Sequence, residues 1–180
     1  LYDLEKIMKT ILLVPTEIGV GLTSACLGLI YALECQGVKA GFLKPFSQEL
    51  QPEADRTTAL YRHLFKHETV EPITYAALTE RLKNDENDEL LEDAVRLHRE
   101  ISKDHDIIIV EGVLPNGRDP FATELNANLA KALDAKVIIV SNADINNPVK
   151  TASKVDNQLR FFGGASGERT AGVLFMRTKG

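Results

Sequence analysis

Short apolar runs alternate with longer amphipathic segments along the chain, and this alternation limits the fold more than any other sequence feature. Such a rhythm is typical of β-strands joined by crossover helices. The runs are rich in Ile, Val and Leu without polar alternation, as in parallel strands buried on both faces. They are Thr10–Pro15, Val38–Lys44, Asp106–Glu111, Lys136–Ser141 and Ala171–Met176. The sequence therefore predicts a three-layer α/β/α fold with a central, mainly parallel sheet.

Between these runs, apolar residues recur at three- and four-residue spacing, which predicts amphipathic helices. The predicted helices are Leu22–Gln36, Asp55–Phe65, Asp88–Lys103, Pro120–Leu133 and Pro148–Phe161. We interpret the charged segment Arg81–Asp93 as a solvated connector and helix start, in which Asn84, Asp85 and Asn87 supply turn and cap chemistry.

Length and charge exclude several classes of protein. A chain of 180 residues suits one domain, so residues 1–180 are predicted to form a single unit. The formal charge of −5 argues against nucleic-acid and membrane-surface partners, which normally require a basic face. No apolar stretch approaches the about 20 residues of a membrane helix, and Leu1–Thr10 carries Asp3 and Glu5 instead of the apolar core of a secretion signal. We expect a cytoplasmic protein.

The two cysteines are interpreted as reduced structural thiols. Cys26 and Cys35 lie in one predicted helix, about 13 Å apart at 1.5 Å per residue, which is too far for a disulfide. His63 and His67 are four residues apart on a predicted helix end, where we favour a solvated face over a metal site.

Parallel strands place their carboxyl ends at one edge of the sheet, and ligands of such folds bind in the loops that leave this edge. These loops begin near Pro15, Lys44, Glu111, Ser141 and Met176. Function is therefore expected in these five loops.

The first of these loops has the composition of a phosphate-binding loop. It runs from Pro15 to Ser24, directly after a strand and into a helix. Glycines let backbone N–H groups converge on phosphate oxygens, the helix N-terminus adds partial positive charge, and a Thr hydroxyl reaches Mg²⁺. Candidate phosphate- or cofactor-binding residues are Thr16, Glu17, Gly19, Gly21, Thr23, Ser24 and Lys44.

One part of a phosphate-binding loop is missing. Leu22 stands where a lysine would precede the threonine. That lysine neutralises the terminal phosphates of a triphosphate, so its loss weakens binding and disables phosphoryl transfer. We therefore assign no catalytic residue, and a tight turn without any ligand stays an alternative for the loop.

Three oxygen-bearing residues are predicted to form a magnesium site. Thr23, Asp55 and Glu111 all belong at the strand-end edge and provide the oxygen donors that Mg²⁺ prefers alongside phosphate and water. Lys44, which ends the second strand, is expected to supply some of the missing charge. The alternatives are that Asp55 caps a helix, that Lys44 is solvated, and that Glu111 accepts hydrogen bonds from loop amides.

The end of the last strand lacks a purine-reading amide. In many nucleotide-binding proteins of this architecture an Asn followed by Lys or Arg reads the base, whereas this chain has Met176 before Arg177. A thioether cannot make the hydrogen bonds of an amide. Specific adenine or guanine recognition is therefore not expected.

With these residues, the chain resembles the dethiobiotin synthetase-like, P-loop-derived domain that forms the N-terminal part of long-form bacterial phosphate acetyltransferases. The resemblance covers nearly all 180 residues, and leucine in place of the loop lysine is itself a feature of that family. Dethiobiotin synthetase is similar more loosely, and Thr23, Lys44, Asp55 and Glu111 fall on its magnesium and phosphate positions. The motifs are Val14–Thr16, Gly19–Ser24, Phe42–Pro45, Val110–Pro115, Glu124–Asn126 with Ala130–Lys131, and Phe162–Ala165.

The resemblance implies a larger protein whose separate C-terminal domain transfers an acetyl group between coenzyme A and phosphate. The N-terminal domain is then regulatory, supports a hexameric assembly and responds to metabolites such as NADH, ATP, pyruvate or phosphoenolpyruvate. On this reading the chain is a fragment of a longer protein, and Mg²⁺ with a nucleotide or another phosphate-bearing metabolite is its candidate ligand. Two alternatives remain: an ATP- and Mg²⁺-dependent ligase of the dethiobiotin synthetase type, and a scaffold whose cleft is filled by Leu22 and Met176.

Overall fold

The fold is a five-stranded parallel sheet between two layers of helices. A computed structural model describes residues 9–50, 55–115 and 121–177, with only the backbone of Lys9. The strand order is β2-β3-β1-β4-β5, and every neighbouring pair is parallel. The strands are β1 (Lys9–Pro15), β2 (Ala40–Leu43), β3 (Ile107–Glu111), β4 (Lys136–Asn142) and β5 (Thr170–Met176). The predicted three-layer α/β/α class is confirmed.

Six helices connect the strands in the described part of the chain. They are α1 (Leu22–Cys35), α2 (Arg56–Phe65), α3 (Tyr75–Lys83), α4 (Asn87–Ser102), α5 (Ala122–Ala132) and α6 (Pro148–Leu159), which continues into a 3-10 turn at Arg160–Phe162. Pro120, where we predicted the fifth helix to begin, lies outside the described residues, as does the segment 1–8.

Each face of the sheet has its own hydrophobic core. On one face Leu22, Cys26 and Ile30 of α1 pack with Phe42 of β2 and Tyr61 of α2. The other face is covered by α4, α5 and α6, whose buried residues pack against alternate residues of the same strands. Because β2 and β3 are buried along their whole length, both faces of these strands contact helices, as the continuous apolar runs predict.

The connector between β2 and β3 contains a helix that the sequence did not predict. The segment Arg81–Asp93, interpreted as a solvated connector and helix start, contains a turn at 84–86 and, as predicted, the beginning of α4, but also the end of α3, which was not predicted. The α3 helix has nine residues and buries only Leu78 completely. Its apolar periodicity is therefore too short to stand out from the surrounding charges.

The last strand is an edge strand, and the prediction that all five runs are buried on both faces is wrong for it. Phe175 is 45% exposed and Leu174 is 38% exposed. On the side of α1, an open apolar groove of about 430 Å³ lies beside β5 and is lined by residues that include Ala25, Gly28, Ile138 and Val173.

The two cysteines are free thiols in different surroundings. Cys26 is fully buried on the face of α1 that packs against the sheet, whereas Cys35 at the end of the same helix is exposed. Burial, with a further contribution from the charge of Glu111, raises the pKa of the Cys26 thiol well above its ordinary value. Within the described ranges, no helix is long and apolar enough to cross a membrane.

Candidate functional site

The register of the sheet brings the carboxyl ends of four strands together. Leu13 of β1 is level with Glu111 of β3, Pro15 is level with Val140 of β4, and Leu43 of β2 is level with Val110. The loop after β1, the loop after β2 and the end of β3 therefore meet at one edge. This edge is where the predicted site residues were expected.

The loop from Thr16 to Gly21 contains two glycines with positive φ angles. Gly19 and Gly21 have φ angles of 79° and 85°, in the left-handed region that favours glycine. A Cβ atom at Gly19 would meet no atom within 4 Å, so the loop is open at this point. The α1 helix begins after Gly21 with no side-chain cap and no acidic residue in its first turn. Its first N–H groups can therefore receive an anion.

Leu22 directs its side chain into the core. It is 4% exposed and packs with the apolar residues beneath α1. The filled-cleft alternative, which requires Leu22 in the cleft, is therefore not supported by this residue. Met176 does lie beside the loop, because its Cε would be 3.5 Å from a Cβ added at Gly21.

A largely buried group of polar side chains, here called the carboxylate–lysine cluster, lies at the ends of β2 and β3. Its members are Thr23, Lys44, Asp55, Thr57 and Glu111. Lys44 Nζ lies 2.8 Å from Asp55 Oδ2 and 3.4 Å from Glu111 Oε1. Thr23 Oγ1 donates to Glu111 Oε2 at 3.2 Å, and Thr57 Oγ1 donates to Glu111 Oε1 at 3.4 Å. The structure thus brings together the four residues that the sequence predicted here, and adds Thr57.

Asp55 makes two sets of contacts, one with each carboxylate oxygen. Its Oδ1 caps α2 by accepting hydrogen bonds from the backbone N–H groups of Thr57 and Thr58 at 3.1 Å each. Its Oδ2 accepts a hydrogen bond of 2.8 Å from the Ser47 hydroxyl, in addition to the contact with Lys44. The helix-cap alternative is therefore true together with the ion pair.

The alternatives for Lys44 and Glu111 are decided by the same contacts. The Lys44 side chain is only 11% exposed and is paired, so it is not a solvated lysine. Among the described hydrogen bonds, Glu111 accepts from the hydroxyls of Thr23 and Thr57 and not from loop amides.

Burial and pairing shift the pKa values of the three charged groups. Burial would lower the pKa of Lys44, but the nearby Glu111 and Asp55 carboxylates outweigh burial and raise that pKa. Burial would raise the pKa of Asp55, but the hydrogen bond and charge of Lys44 hold it below its usual range. For Glu111, burial outweighs the charge of Lys44 and raises the pKa. Glu111 is therefore the least stabilised charge in the cluster.

The donors of the cluster are of the chemical type that Mg²⁺ takes, but the described residues contain no group of three or more His, Cys, Asp or Glu side chains that could hold a metal ion. Thr23, Asp55 and Glu111 offer a hydroxyl and two carboxylates, the oxygen ligands that Mg²⁺ takes together with phosphate and water. The Lys44 ammonium lies against both carboxylates, so it is the charge with which a metal ion would compete.

On the other side of the loop, contacts join it to β4 and α6. Thr16 Oγ1 donates to the Ser141 hydroxyl at 3.0 Å, and Thr16 N donates to Val140 O at 2.9 Å. Lys154 Nζ on α6 lies 2.7 Å from both carboxylate oxygens of Glu17. Sequence reasoning missed Lys154, because 137 residues separate it from Glu17 and no local motif marks it. Ser24 is exposed and lines the apolar groove beside β5.

A glycine-bearing loop between the first strand and helix, with a hydroxyl and carboxylates at the ends of parallel strands, defines a P-loop-type α/β domain. The family described as AAA domain matches residues 9–179, and the chain belongs to this family.

Comparison with curated proteins shows homology to phosphate acetyltransferases. The phosphate acetyltransferase of Acinetobacter baylyi is 62% identical over 173 residues, which cover 96% of this chain and 24% of that protein. That of Haemophilus influenzae is 36% identical over 168 residues, which cover 92% of this chain and 24% of that protein. The chain thus spans about a quarter of the length of these relatives.

Solved structures agree on the fold at low sequence identity. The signal recognition particle receptor FtsY of Elizabethkingia anophelis superposes with a TM-score of 0.59 at 15% identity, over 83% of this chain and 47% of that chain. A Cyanothece McdA variant in complex with ATP gives a TM-score of 0.54 at 15% identity, over 92% of this chain and 67% of that chain. At this identity the likeness supports the fold alone.

Proposed function

We propose that this chain is the N-terminal regulatory and assembly domain of a phosphate acetyltransferase, and that its strand-end site binds a phosphate-bearing metabolite as an effector. The 62% identity to a curated phosphate acetyltransferase supports the parent activity, in which acetyl-CoA and phosphate give acetyl phosphate and coenzyme A. Because the chain spans about a quarter of its relatives, we assign that chemistry to a separate C-terminal domain.

The observation that supports a binding role without catalysis is the position of Leu22. Its side chain lies in the core, so the loop receives no ammonium at the place where phosphoryl transfer needs one. The glycines, the uncapped helix N-terminus and the carboxylate–lysine cluster are nevertheless present. A site of this kind can hold a phosphate group without transferring it.

Mg²⁺ is the metal that the cluster would hold together with such a metabolite. Thr23, Asp55 and Glu111 would be its protein ligands, and it would neutralise phosphate oxygens at the loop. Lys44 would add a fixed positive charge from the end of β2.

Regulation requires that the effector bind two states of the parent protein with different affinity. We propose that these states differ in how the domain contacts its own catalytic domain and the other subunits of a cytoplasmic homo-oligomer. A small metabolite, and not a nucleic acid or a membrane, is the proposed partner of the site.

Titration calorimetry of this chain with ATP and with pyrophosphate, each with and without Mg²⁺, tests the binding proposal. We expect Mg²⁺-dependent binding that is weaker than the about −8 kcal/mol of a micromolar complex, because the loop lysine is missing. In Leu22→Lys the ammonium must leave the core to reach the loop, so we expect ATP binding to tighten by no more than about tenfold, or roughly 1.4 kcal/mol, whereas Leu22→Met should leave it unchanged. No heat from any of these ligands at millimolar concentration, in the wild type or in Leu22→Lys, would contradict phosphate binding.

The regulatory proposal has its own test in the full-length enzyme. We expect that removal of residues 1–180 changes the oligomeric state and abolishes the response of acetyl transfer to metabolite effectors. An enzyme without this domain that keeps the same activity and the same effector response would exclude the proposal.

The contact of Lys44 with Asp55 and Glu111 supports a second candidate function. A lysine beside oxygen donors of the type that Mg²⁺ takes is what an ATP-dependent ligase of the dethiobiotin synthetase type would need if Lys44 replaced the missing lysine. ADP formation that depends on a diamino-acid substrate and bicarbonate would favour this candidate. Absence of ADP formation with these substrates would exclude it.

A further inference from the structure

The ion pair between Glu17 and Lys154, here called the loop ion pair, joins the phosphate-binding loop to α6. Lys154 Nζ contacts both carboxylate oxygens of Glu17 at 2.7 Å. A carboxylate within a loop that binds phosphate would repel the ligand. The charge of Glu17 must therefore be neutralised by a cation, or its side chain must move away from the phosphate. The pair supplies the counter-charge and places an ammonium at the Glu17 side chain of a loop that has none at Leu22.

The ammonium of Lys154 is partly exposed to water, unlike that of Lys44. The side chains of Lys154 and Glu17 are 33% and 39% exposed, and ion pairs with this exposure are weak because water solvates both charges. Lys44, in contrast, is held by two buried carboxylates. A ligand with several negative charges can therefore compete for Lys154 more easily than for Lys44.

We propose that Lys154 supplies the phosphate-binding ammonium that Leu22 does not, and that Glu17 holds this ammonium while no anion is bound. This inference rests on the proposed phosphate binding. It identifies Lys154 as the residue that makes the site prefer ligands of high negative charge. The expected ligand class is a metabolite with a diphosphate, a triphosphate or a similarly dense negative charge. Binding then exchanges the Glu17 carboxylate for phosphate oxygens at Lys154 Nζ.

The test measures pyrophosphate affinity in the presence of Mg²⁺ for four proteins by calorimetry. They are the wild-type chain, Glu17→Gln, Lys154→Met and the double variant. Glu17→Gln should bind about three- to tenfold more tightly, because it removes a repulsive charge and frees Lys154. Lys154→Met should bind about tenfold more weakly, and its dependence on salt concentration should be smaller.

The double variant separates this inference from a structural role of the pair. If Lys154 only neutralised Glu17, the double variant would bind as tightly as Glu17→Gln. We expect instead that Lys154→Met weakens binding at least tenfold in the Glu17→Gln background as well. Equal affinity of Glu17→Gln and the double variant would overturn the inference.

Two controls make the outcomes distinguishable. Lys131→Met removes the same charge from an exposed position at the carboxyl end of α5, and it should leave the affinity unchanged. Thermal unfolding checks that each variant is folded. If the wild type and Glu17→Gln both fail to bind pyrophosphate and ATP, the proposed phosphate binding fails and this inference falls with it. If the wild type binds and Lys154→Met binds equally well, only this inference fails.

Discussion

The charged side chains on the two sides of the strand-end site differ in their exposure to water. In the carboxylate–lysine cluster, Lys44, Asp55 and Glu111 have side chains that are 11%, 2% and 5% exposed. In the loop ion pair, the Lys154 and Glu17 side chains are 33% and 39% exposed. Both sides contain a lysine in contact with carboxylate oxygens at 2.8 Å or less. Only the charges of the carboxylate–lysine cluster are largely shielded from water.

This difference separates a fixed charge from an exchangeable one. A charge in a low-dielectric interior must keep its partner, because an unpaired buried charge is costly. A charge that water can solvate loses little when its partner leaves. The Lys44 ammonium is therefore a fixed charge of the cluster, and the Lys154 ammonium of the loop ion pair is suited to respond to a ligand.

The largest expected effect is that of Lys44→Met on stability. The substitution leaves the buried carboxylates of Asp55 and Glu111 without their cation, and we expect the free energy of unfolding to fall by about 3 kcal/mol at pH 7. Without Lys44 both carboxyl groups have raised pKa values, and protonation removes the penalty, so the loss should shrink as the pH is lowered through those pKa values. Urea denaturation at pH 7 and pH 5 measures both effects, and a loss that is the same at the two pH values would contradict the explanation.

A smaller effect of the opposite sign is expected for Glu111→Gln. The pKa of Glu111 is raised in the folded state, so the stability that this group contributes is complete below its unfolded pKa of about 4.3. It is lost as the pH rises through the folded pKa. The amide should therefore raise the free energy of unfolding at pH 7 on the order of 1 kcal/mol.

The gain from Glu111→Gln should disappear near pH 4, where the wild-type carboxyl group is protonated. The same variant should lose the Mg²⁺ dependence of ATP binding, because an amide is a poorer magnesium ligand than a carboxylate. Lower stability than the wild type at pH 7 would show that the attraction of Lys44 outweighs the burial of Glu111.

The smallest stability effect is expected for Lys154→Met, which is the matched substitution in the loop ion pair. Because both partners are partly solvated, the free energy of unfolding should change by less than about 0.5 kcal/mol. Urea denaturation beside Lys44→Met compares the two sides directly. A loss of similar size in the two variants would end the distinction between a fixed and an exchangeable charge.

The sequence predicted the buried side of the site because local patterns specify it. An apolar run that ends in Lys44 or Glu111 fixes where each strand stops, and parallel pairing then brings the two side chains together. Asp55 before Thr57 and Thr58 is a helix-cap pattern that places its carboxylate at the beginning of α2. The left-handed backbone of the loop could be predicted for the same reason, since its glycines, Gly19 and Gly21, lie close together in the chain.

The rest depends on contacts between distant segments. Lys154 is one of several polar residues on α6, and only the packing of α6 beside the first loop brings it to Glu17. The exposure of β5 could not be predicted either, because an apolar strand has the same composition at the edge of a sheet as in its centre. Short helices such as α3 are similarly undetermined when one buried residue is their main apolar contact.

The reactivity of the two thiols on α1 can be used to measure the movement of this helix. Cys35 is exposed and should react at once with a thiol reagent, whereas Cys26 can react only while α1 separates from the sheet. Cys26 lies close enough to Glu111 and Lys44 for their charges to act on its thiol. The rate at which Cys26 is modified therefore measures how often α1 separates from the sheet beneath the site. A ligand that holds α1 against the strand ends will lower this rate.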